Sequence, residues 1–183
     1  MNYIELNNQV IIRDENGKYQ LNKDKEALKS YLEDYIEPKM KKFDNLNDRL
    51  NYLVENDYYS KEILDLYDQY VIDVIYDFIR AKNFKFQSYM SASKFYQNYA
   101  LKSNDGEEIL ENYEDKVLIV ALTLGNGEPK LAKDIAEKLI NQEFQPATPT
   151  FLNAGRARGG KMVSCFLVNV EDSCEGISYA VSS

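Results

Sequence analysis

Residues 109–124, ILENYEDKVLIVALTL, carry the helical pattern that decides the fold class. Apolar residues recur along this run at the three- and four-residue steps of an amphipathic helix. A second amphipathic pattern follows at residues 129–140, after a Gly-Asn-Gly-Glu-Pro break. Gly and Pro at such a break end one helix and allow the next to begin. We therefore predict two neighbouring helices here, in a chain that is predominantly α up to Asn141.

The chain before residue 109 repeats this helical pattern. One helix is predicted from Asp24 until Pro38 ends it, another begins near Asn47, and two further pieces fall within residues 64–79. Ser91, or Ser93 as the alternative, is predicted to cap the next helix. The apolar positions that define these helices are Ala27, Leu28, Tyr31, Leu32, Tyr35, Ile36, Leu50, Leu53, Val54, Leu64, Leu66, Tyr67, Val71, Val74, Ile75, Phe78, Ile79, Phe95, Tyr96, Tyr99 and Leu101.

Two other features of this first part need an interpretation. Residues 4–21 alternate apolar and polar side chains around an Asp-Glu-Asn-Gly turn, which predicts a short hairpin or an extended lead-in. Phe95, Tyr96 and Tyr99 form an aromatic stripe, which suits either base stacking or a core. Stacking surfaces for nucleic acid usually lie in a basic groove, so helical spacing favours the core.

Composition limits the classes of protein to which the chain can belong. Its 183 residues include 44% hydrophobic side chains, enough for a globular core, and a net charge of −8 argues against a nonspecific nucleic-acid surface. The sequence contains no His, no compact metal-ligand spacing, no apolar run of membrane-spanning length and no signal peptide at its start. Two cysteines are too few for a disulfide scaffold. We expect a cytoplasmic protein that binds neither membrane, nucleic acid nor metal.

Residues 145–167, QPATPTFLNAGRARGGKMVSCFL, combine two Thr-Pro turns, a Gly/Arg loop and a cysteine. Pro146 and Pro149 disfavour helical angles in the residues before them, so an extended, stiff backbone is expected. The hydroxyls of Thr148 and Thr150 then suit phosphate oxygens, although the Thr-Pro pattern alone favours an ordinary Ser/Thr turn. The loop at residues 154–161 has three glycines and three cations, which fit either an anion or a mobile surface loop.

The last part of the chain predicts a strand followed by a helix. MVSCFLVNV, residues 162–170, has the β-branched and apolar composition of a buried strand that contains Ser164 and Cys165. A lone buried cysteine is usually a small hydrophobe, whereas a reactive thiol needs a partly open, electropositive setting. Asp172 or Ser173 is predicted to cap the following helix. The chain ends within that helix, so we expect a fragment with exposed apolar surface.

Four separated motifs bear a resemblance to a known family. They are FQSYMSASKFYQNYALK at residues 86–102, ILENYEDKVLIVAL at 109–122, INQEFQPATPTFLNAGR at 140–156 and VSCFL at 163–167. In order and spacing the chain resembles the N-terminal portion of the large (α) subunit of class Ib ribonucleoside-diphosphate reductase. The resemblance implies a subunit that reduces ribonucleoside diphosphates to deoxyribonucleotides by radical chemistry. It also implies a mainly α fold that ends in the first strand and first helix of an α/β barrel.

The resemblance assigns roles to five residues. Thr148 matches the threonine that contacts the substrate diphosphate, and Ser164 matches the substrate-side serine before the redox cysteine. Cys165 matches one of two thiols that reduce the substrate and become a disulfide, its partner lying downstream of this chain. Asp172 and Ser173 fall where a deoxynucleoside triphosphate effector site begins. The resemblance gives Cys174 no role.

Several parts of the family's enzyme have no counterpart among these 183 residues. The thiyl-radical cysteine, the second redox thiol and the tyrosines of the radical path would all lie downstream, so the isolated chain is expected to be inactive. Residues 11–32 at most resemble a shortened ATP-binding cone. The expected domains are 1–85, 86–160 and 161–183, the last being the barrel's first strand and truncated helix.

The resemblance also implies partners that this chain does not contain. They are the remainder of the α subunit, a second α subunit, a β subunit that holds the dimetal radical cofactor, and a glutaredoxin- or thioredoxin-like reductant. No cofactor is expected to bind this chain itself. Two alternatives remain open from the sequence: a non-catalytic helical interaction module, and one half of a split reductase.

Overall fold

The computed structural model describes residues 2–165 and 167–182, and within them the chain forms ten α-helices. They are α1 (Tyr3–Gln9), α2 (Asn22–Ser30), α3 (Leu46–Glu55), α4 (Lys61–Leu64), α5 (Gln69–Ala81), α6 (Tyr89–Asn98), α7 (Tyr113–Gly125), α8 (Pro129–Ile140), α9 (Thr148–Asn153) and α10 (Cys174–Ser182). Apart from isolated bridges, no β-structure occurs among the described residues. The predicted mainly α fold class is confirmed. None of these helices is both long and apolar enough to cross a membrane.

The central element is α7, which is buried around its whole circumference. Every residue from Val117 to Leu122 is buried, so the prediction of an amphipathic helix is wrong for this element. A helix that is apolar on all sides belongs inside a core, because no face gains by contact with water. The helix also begins later than predicted: Asn112 caps it and forms a capping box with Asp115. Residues 109–112 lead into it in a non-helical conformation.

Helices α5 and α8 pack on α7. The contact with α8 is close, since a Cβ on Gly125 would lie 2.7 Å from the Cβ of Ala132. Between the two helices, Asn126 and Gly127 adopt positive φ angles of 44° and 86°, and Pro129 occupies the first turn of α8. Pro is tolerated there because the first N–H groups of a helix have no intrahelical partner. The bounds predicted for the helix at residues 129–140 are confirmed.

Helices α1 and α6 pack against α2. Helix α2 continues through a π-helical turn at Tyr31–Ile36 into a 3₁₀ turn at Glu37–Lys39, so the helical stretch predicted up to Pro38 is present. The buried ring of Tyr31 lies 5.1 Å from the ring of Tyr3 and 5.3 Å from that of Tyr89, measured between centroids. This aromatic contact joins the three helices.

Two predictions for the N-terminal part are wrong in detail. The predicted hairpin is mostly absent: residues 3–9 form α1, capped by Asn2, and only Arg13 and Tyr19 make an antiparallel bridge across the turn. The Asn2 cap supplies local hydrogen bonds that alternation of side chains does not reveal. Helix α6 begins one turn earlier than predicted, because Ser88 is the cap and its hydroxyl accepts from the backbone N–H of Ser91.

The aromatic stripe belongs to the core, as predicted. Phe95 and Tyr96 are buried, and the ring of Phe95 meets that of Tyr113 at 5.4 Å. Tyr113 also stacks on Phe84, with 4.0 Å between centroids. Offset and edge-on contacts between aromatic rings stabilise the fold by more than the burial of their apolar area alone. These contacts fix α6 and residues 84–86 on the start of α7.

Residues 154–157 lie against α7 and pair with the end of the α3–α4 connection. The backbone N–H of Ser60 donates to Gly155 O at 2.9 Å, and that of Ala157 donates to Tyr58 O at 3.1 Å. Gly155 has φ +72°, and a Cβ built on it would lie 2.1 Å from Ile119 Cγ1. Only glycine fits this position, because a side chain would meet both backbone strain and the buried face of α7.

Replacement of Gly155 by alanine should therefore destabilise the fold more than replacement of Gly159. Both residues have left-handed φ angles, but a Cβ on Gly159 meets nothing within 4 Å. Gly159→Ala should cost about 1–2 kcal/mol from backbone strain alone. Gly155→Ala should cost a further ~1–3 kcal/mol from overpacking against Ile119. Urea unfolding of both variants measures the difference, and equal losses would show that residues 154–157 are not packed on α7.

Candidate functional site

Helix α9 carries the first of the predicted site residues. The sequence predicted an extended backbone here, but Thr148 to Asn153 are helical, with Pro149 in the first turn where its missing N–H leaves no bond unmade. Thr148 is the first residue of the helix and is exposed, and its Oγ1 lies 3.3 Å from Tyr99 Oη. Phe151, on the inner face, is buried.

Side chains of α9 hold the segment that follows the Gly/Arg loop. Thr150 Oγ1 donates to Met162 O at 2.8 Å, and Asn153 Nδ2 donates to Lys161 O at 2.9 Å. Ser164 and Cys165 come two and three residues after Met162. The helix that bears Thr148 therefore also positions the start of the segment that bears the thiol.

Cys165 is an exposed free cysteine, and its Sγ lies 3.6 Å from Ser164 Oγ. The prediction of a buried strand at residues 162–170 is wrong for this chain. The described residues there form no ladder, and Val163, Leu167 and Val168 are at least half exposed. Phe166 lies outside the described residues. A strand needs a neighbour to pair with its N–H and C=O groups, and the described residues offer none to this segment.

Asp172 and Ser173 are not joined to α9 by the hydrogen bonds that they make. Ser173 caps α10, because its hydroxyl accepts from Gly176 N at 3.0 Å and its carbonyl accepts from Ile177 N at 3.0 Å. Of the two capping candidates, the serine is therefore correct. Asp172 is exposed, and no residue of α10 is buried among those described. Cys174, the first residue of α10, is also a free, exposed thiol.

The exposed apolar surface expected at this end of the chain is confirmed. Large apolar side chains stand in water along the segment after α9 and along α10. They are Met162, Val163, Leu167, Val168, Val170, Ile177, Tyr179 and Val181. Many exposed apolar side chains in one stretch of sequence are typical of a surface that another protein element covers.

Beneath α9 lies a buried ion pair that the sequence did not reveal. Glu111 is fully buried, and Arg156 donates to it through both terminal nitrogens, each at 2.9 Å. Tyr59 Oη and the backbone N–H of Leu101 also donate to this carboxylate, at 2.5 and 2.8 Å. Burial alone would raise the pKa of Glu111, but the nearby cations Lys116 and Arg156 outweigh it and hold the pKa below its ordinary value. The carboxylate is therefore charged and fully hydrogen-bonded.

Lys116 is a second buried cation in this cluster. Its side chain extends from the buried α7 to the C-terminal end of α9, where Nζ donates to Leu152 O at 3.2 Å. Arg156 Nε donates to the same carbonyl at 3.3 Å. Burial lowers the pKa of Lys116 to about 8, with the Glu111 carboxylate opposing that shift and Arg156 adding to it. Two cations thus satisfy the end of α9, where helix carbonyls concentrate negative charge.

A second ion pair joins α7 to two other helices. Arg49 of α3 pairs with Asp115 of α7, and Tyr76 Oη of α5 donates to the same carboxylate at 2.8 Å. Burial raises the pKa of Asp115, although Arg49 lowers it in part. The start of α7 is therefore fixed to α3 and α5 by charge and hydrogen bonding as well as by apolar contact.

The two interpretations of the Gly/Arg loop, a mobile surface loop or an anion site, therefore do not describe all of its residues. Arg156 is committed to Glu111 and has a side chain only 12% exposed, while Arg158 reaches Asn104 Oδ1 at 3.2 Å on the surface. The one signal in the sequence was Lys116, a cation directly before the apolar run VLIVAL. Lys116 indicates that a charge is buried, but it does not show which residues pair there. Glu111 and Arg156, which form the pair, are 45 residues apart in sequence.

Among the described residues, no group of three or more His, Cys, Asp or Glu side chains is placed to hold a metal ion. The groups with chemistry to offer near α9 are the exposed hydroxyls of Thr148 and Ser164 and the exposed thiol of Cys165. Hydroxyls suit anionic oxygens, and an accessible thiol suits redox exchange. The buried charges below them pair with one another and bond the C-terminal end of α9, so they act on the position of this helix.

Two family models match consecutive parts of this chain. Residues 3–84 match "Ribonucleotide reductase N-terminal" and residues 85–159 match "Ribonucleotide reductase, all-alpha domain". The second range includes α7, α9 and the buried Glu111–Arg156 pair. The chain therefore belongs to the ribonucleotide reductase family and carries its N-terminal and all-α domains.

Relatives of the chain agree with this assignment. The chain is 52% identical over 179 residues to the ribonucleoside-diphosphate reductase subunit alpha of Bacillus subtilis. The matched region covers 98% of this chain and 25% of that protein. It is 51% identical to the NrdEB subunit alpha of the same bacterium, over 98% of this chain and 16% of the relative. The chain is 40% identical to the ribonucleoside-diphosphate reductase subunit alpha of Mycoplasma genitalium, and the match covers 99% of this chain and 24% of that protein. The chain spans a quarter or less of the length of these relatives.

Removal of the Glu111 charge should destabilise the chain strongly. Glu111→Gln leaves the guanidinium of Arg156 buried without its counter-charge, which should cost about 3–5 kcal/mol. The matched control is Glu108→Gln, since Glu108 pairs with Lys41 but has a side chain 46% exposed. That change should cost about 1 kcal/mol or less. Denaturant unfolding at pH 7 measures both, and similar losses would contradict the buried pair.

Lys116 should make stability depend on pH in the alkaline range. Below pH 8 the side chain is protonated in both states. Above it the folded state releases the proton, while the unfolded state keeps it until its ordinary pKa of 10.5, so the free energy of unfolding rises with pH. From pH 7.5 to 9.5 the chain should gain about 1–2 kcal/mol relative to Lys116→Met, which has no such group. Parallel curves for the two proteins would show that Lys116 titrates normally.

Proposed function

We propose that this chain forms the substrate-side N-terminal part of a class Ib ribonucleoside-diphosphate reductase α subunit. The observation that carries the proposal is the arrangement around α9. This helix presents Thr148 to solvent and also bonds residues 161 and 162, which lead directly to the exposed thiol of Cys165. A phosphate contact and a redox thiol on adjoining segments are what reduction of a ribonucleoside diphosphate requires. Names of the relatives support this reaction class.

In this proposal Thr148 contacts the diphosphate of the substrate. Its hydroxyl is exposed at the first position of α9, and the buried contacts of Phe151 and Leu152 O keep the helix in place beneath it. Ser164 contributes a second hydroxyl beside the thiol, with its Oγ 3.6 Å from Cys165 Sγ. The rigid support reduces the entropy that would be lost when the substrate binds.

Cys165 supplies reducing equivalents. Together with a second thiol from the remainder of the α subunit, it gives up two electrons and two protons as a disulfide forms, while the ribose 2′-hydroxyl leaves as water. A dithiol reductant of the glutaredoxin or thioredoxin type then restores both thiols by exchange. The thiol of Cys165 is free and accessible, as such exchange requires. The radical that starts the reaction would come from a metal-containing β subunit.

Further parts of the proposal concern regions beyond α9. The remainder of the α subunit would cover the apolar side chains of residues 162–181 and complete a barrel around them. Asp172 and Ser173 would contact a deoxynucleoside triphosphate effector at an interface between two α subunits. The domains would divide near residues 85 and 160, and the enzyme would act in the cytoplasm.

Substitution of Cys165 tests this function. The chain is combined with a separately produced remainder of an α subunit, the β subunit and a dithiol, and deoxyribonucleoside diphosphate formation is measured. Cys165→Ser should reduce turnover to the assay background, because one of the two electron-donating sulfurs is lost. The matched control is Cys174→Ser, which removes the other exposed thiol and should leave turnover unchanged.

Two results would oppose the proposal. Turnover that survives in Cys165→Ser would show that this thiol does not reduce substrate. Absence of turnover in the unsubstituted chain, despite assembly with the remainder of the α subunit shown by gel filtration, would favour a non-catalytic interaction module.

A further inference from the structure

Tyr99 contacts the α9 region at three points, and none of its contacts has a role in the function proposed above. Its ring packs edge-on against Phe151, with 5.6 Å between centroids and an interplanar angle of 65°. Its carbonyl lies 3.5 Å from an Arg156 terminal nitrogen, just after the end of α9. Its hydroxyl lies 3.3 Å from Thr148 Oγ1, at the start of the helix. Tyr99 thus spans α9 from its first residue to the loop that follows.

The position of Tyr99 is itself fixed. It is the C-cap of α6, and its backbone N–H donates to Phe95 O at 2.9 Å. The next residue but one, Leu101, donates its backbone N–H to the buried Glu111 carboxylate at 2.8 Å. The hydroxyl of Tyr99 is therefore held by a half-buried ring between two anchored backbone groups. It constitutes a rigid partner for an exposed and otherwise rotatable threonine hydroxyl.

The direction of the bond between the two hydroxyls follows from what Thr148 must do. Each hydroxyl has one proton to donate and can accept from others. A threonine that binds a phosphate oxygen must donate its proton outward to that oxygen. Its Oγ1 is then free to accept, and the phenol of Tyr99, a better donor than an aliphatic alcohol, supplies the proton. A hydroxyl that accepts one bond becomes a stronger donor in the next.

We propose that Tyr99 is a positioning residue for substrate binding, which orients and polarises the Thr148 hydroxyl as a donor to the diphosphate. The proposal rests on the function proposed above, in which Thr148 contacts the substrate. Tyr99 does not touch the substrate. Its hydroxyl fixes the threonine rotamer before the substrate arrives, so that no rotamer freedom is lost on binding.

Kinetics of Tyr99→Phe in the assembled reductase test the proposal. This change keeps the ring against Phe151 and removes only the hydroxyl, so the fold should be preserved. KM for the ribonucleoside diphosphate should rise about three- to tenfold, the range expected for one hydrogen bond, with kcat unchanged. The control is Tyr70→Phe, which removes the hydroxyl of an exposed tyrosine on α5 and should alter neither constant.

A double-mutant cycle with Thr148→Val separates this proposal from the one on which it rests. Thr148→Val should raise KM by itself, and Tyr99→Phe should then add nothing, because the hydroxyl on which it acts is gone. Additive losses, or a KM unaffected by Tyr99→Phe, would overturn the role of Tyr99 and leave the substrate contact intact. An unchanged KM in Thr148→Val would overturn the substrate contact itself.

The proposed role of Tyr99 can also be tested without enzyme turnover, from the rotamer of Thr148. Three-bond NMR couplings to the Thr148 methyl group report its χ1 rotamer in the chain alone. The unsubstituted chain should show one dominant rotamer, and Tyr99→Phe should show averaging among several. A threonine that is already averaged beside Tyr99, or that stays fixed without the phenol hydroxyl, would contradict the proposal.

Discussion

A carboxylate taken wholly out of water must find its hydrogen-bond donors within the protein, and Glu111 finds them on three segments distant in sequence. Tyr59 precedes α4, Leu101 follows α6, and Arg156 follows α9. Because a buried charge without such partners would cost several kcal/mol, these segments are obliged to meet at one point. Hydrophobic burial around α7 supplies the bulk of the driving force for folding, but it does not specify where the loop after α9 should lie. The Glu111–Arg156 ion pair specifies this position.

The result is a contrast between a fixed helix and an exposed segment beside it. Helix α9 is held at its C-terminal end by Lys116 and Arg156, on its inner face by Phe151, and at its first residue by Tyr99. From residue 163 to residue 172 the side chains that the structure describes are exposed, as are most of those described in α10. In the proposed enzyme, the binding hydroxyl thus has its support within this chain, whereas the thiol segment takes its final surroundings from the remainder of the subunit.

Much of the fold could be predicted from the sequence, and the exceptions have physical reasons. Helices α5 and α8 were predictable because their apolar residues follow the helical period. Helix α9 was missed because Pro149 reads as a breaker, yet Pro is tolerated in a first turn, and α1 was missed because its cap, Asn2, outweighs an alternating pattern. Thr148, Ser164 and Cys165 were found through a resemblance and not through periodicity. The pairing of Glu111 with Arg156 depends on tertiary proximity, which no local pattern contains.

The burial of Glu111 together with Arg156 also limits how such a sequence can change over evolutionary time. Loss of either charge leaves the other buried without its counter-charge, whereas loss of both together, with apolar replacements of similar volume, avoids that penalty. The first substitution is therefore harmful in isolation and acceptable only in the presence of the second. Lineages of this domain should keep both residues or lack both, and intermediates with one alone should be rare. The position of a surface helix is in this way tied to an inherited pair of residues that no solvent molecule reaches freely.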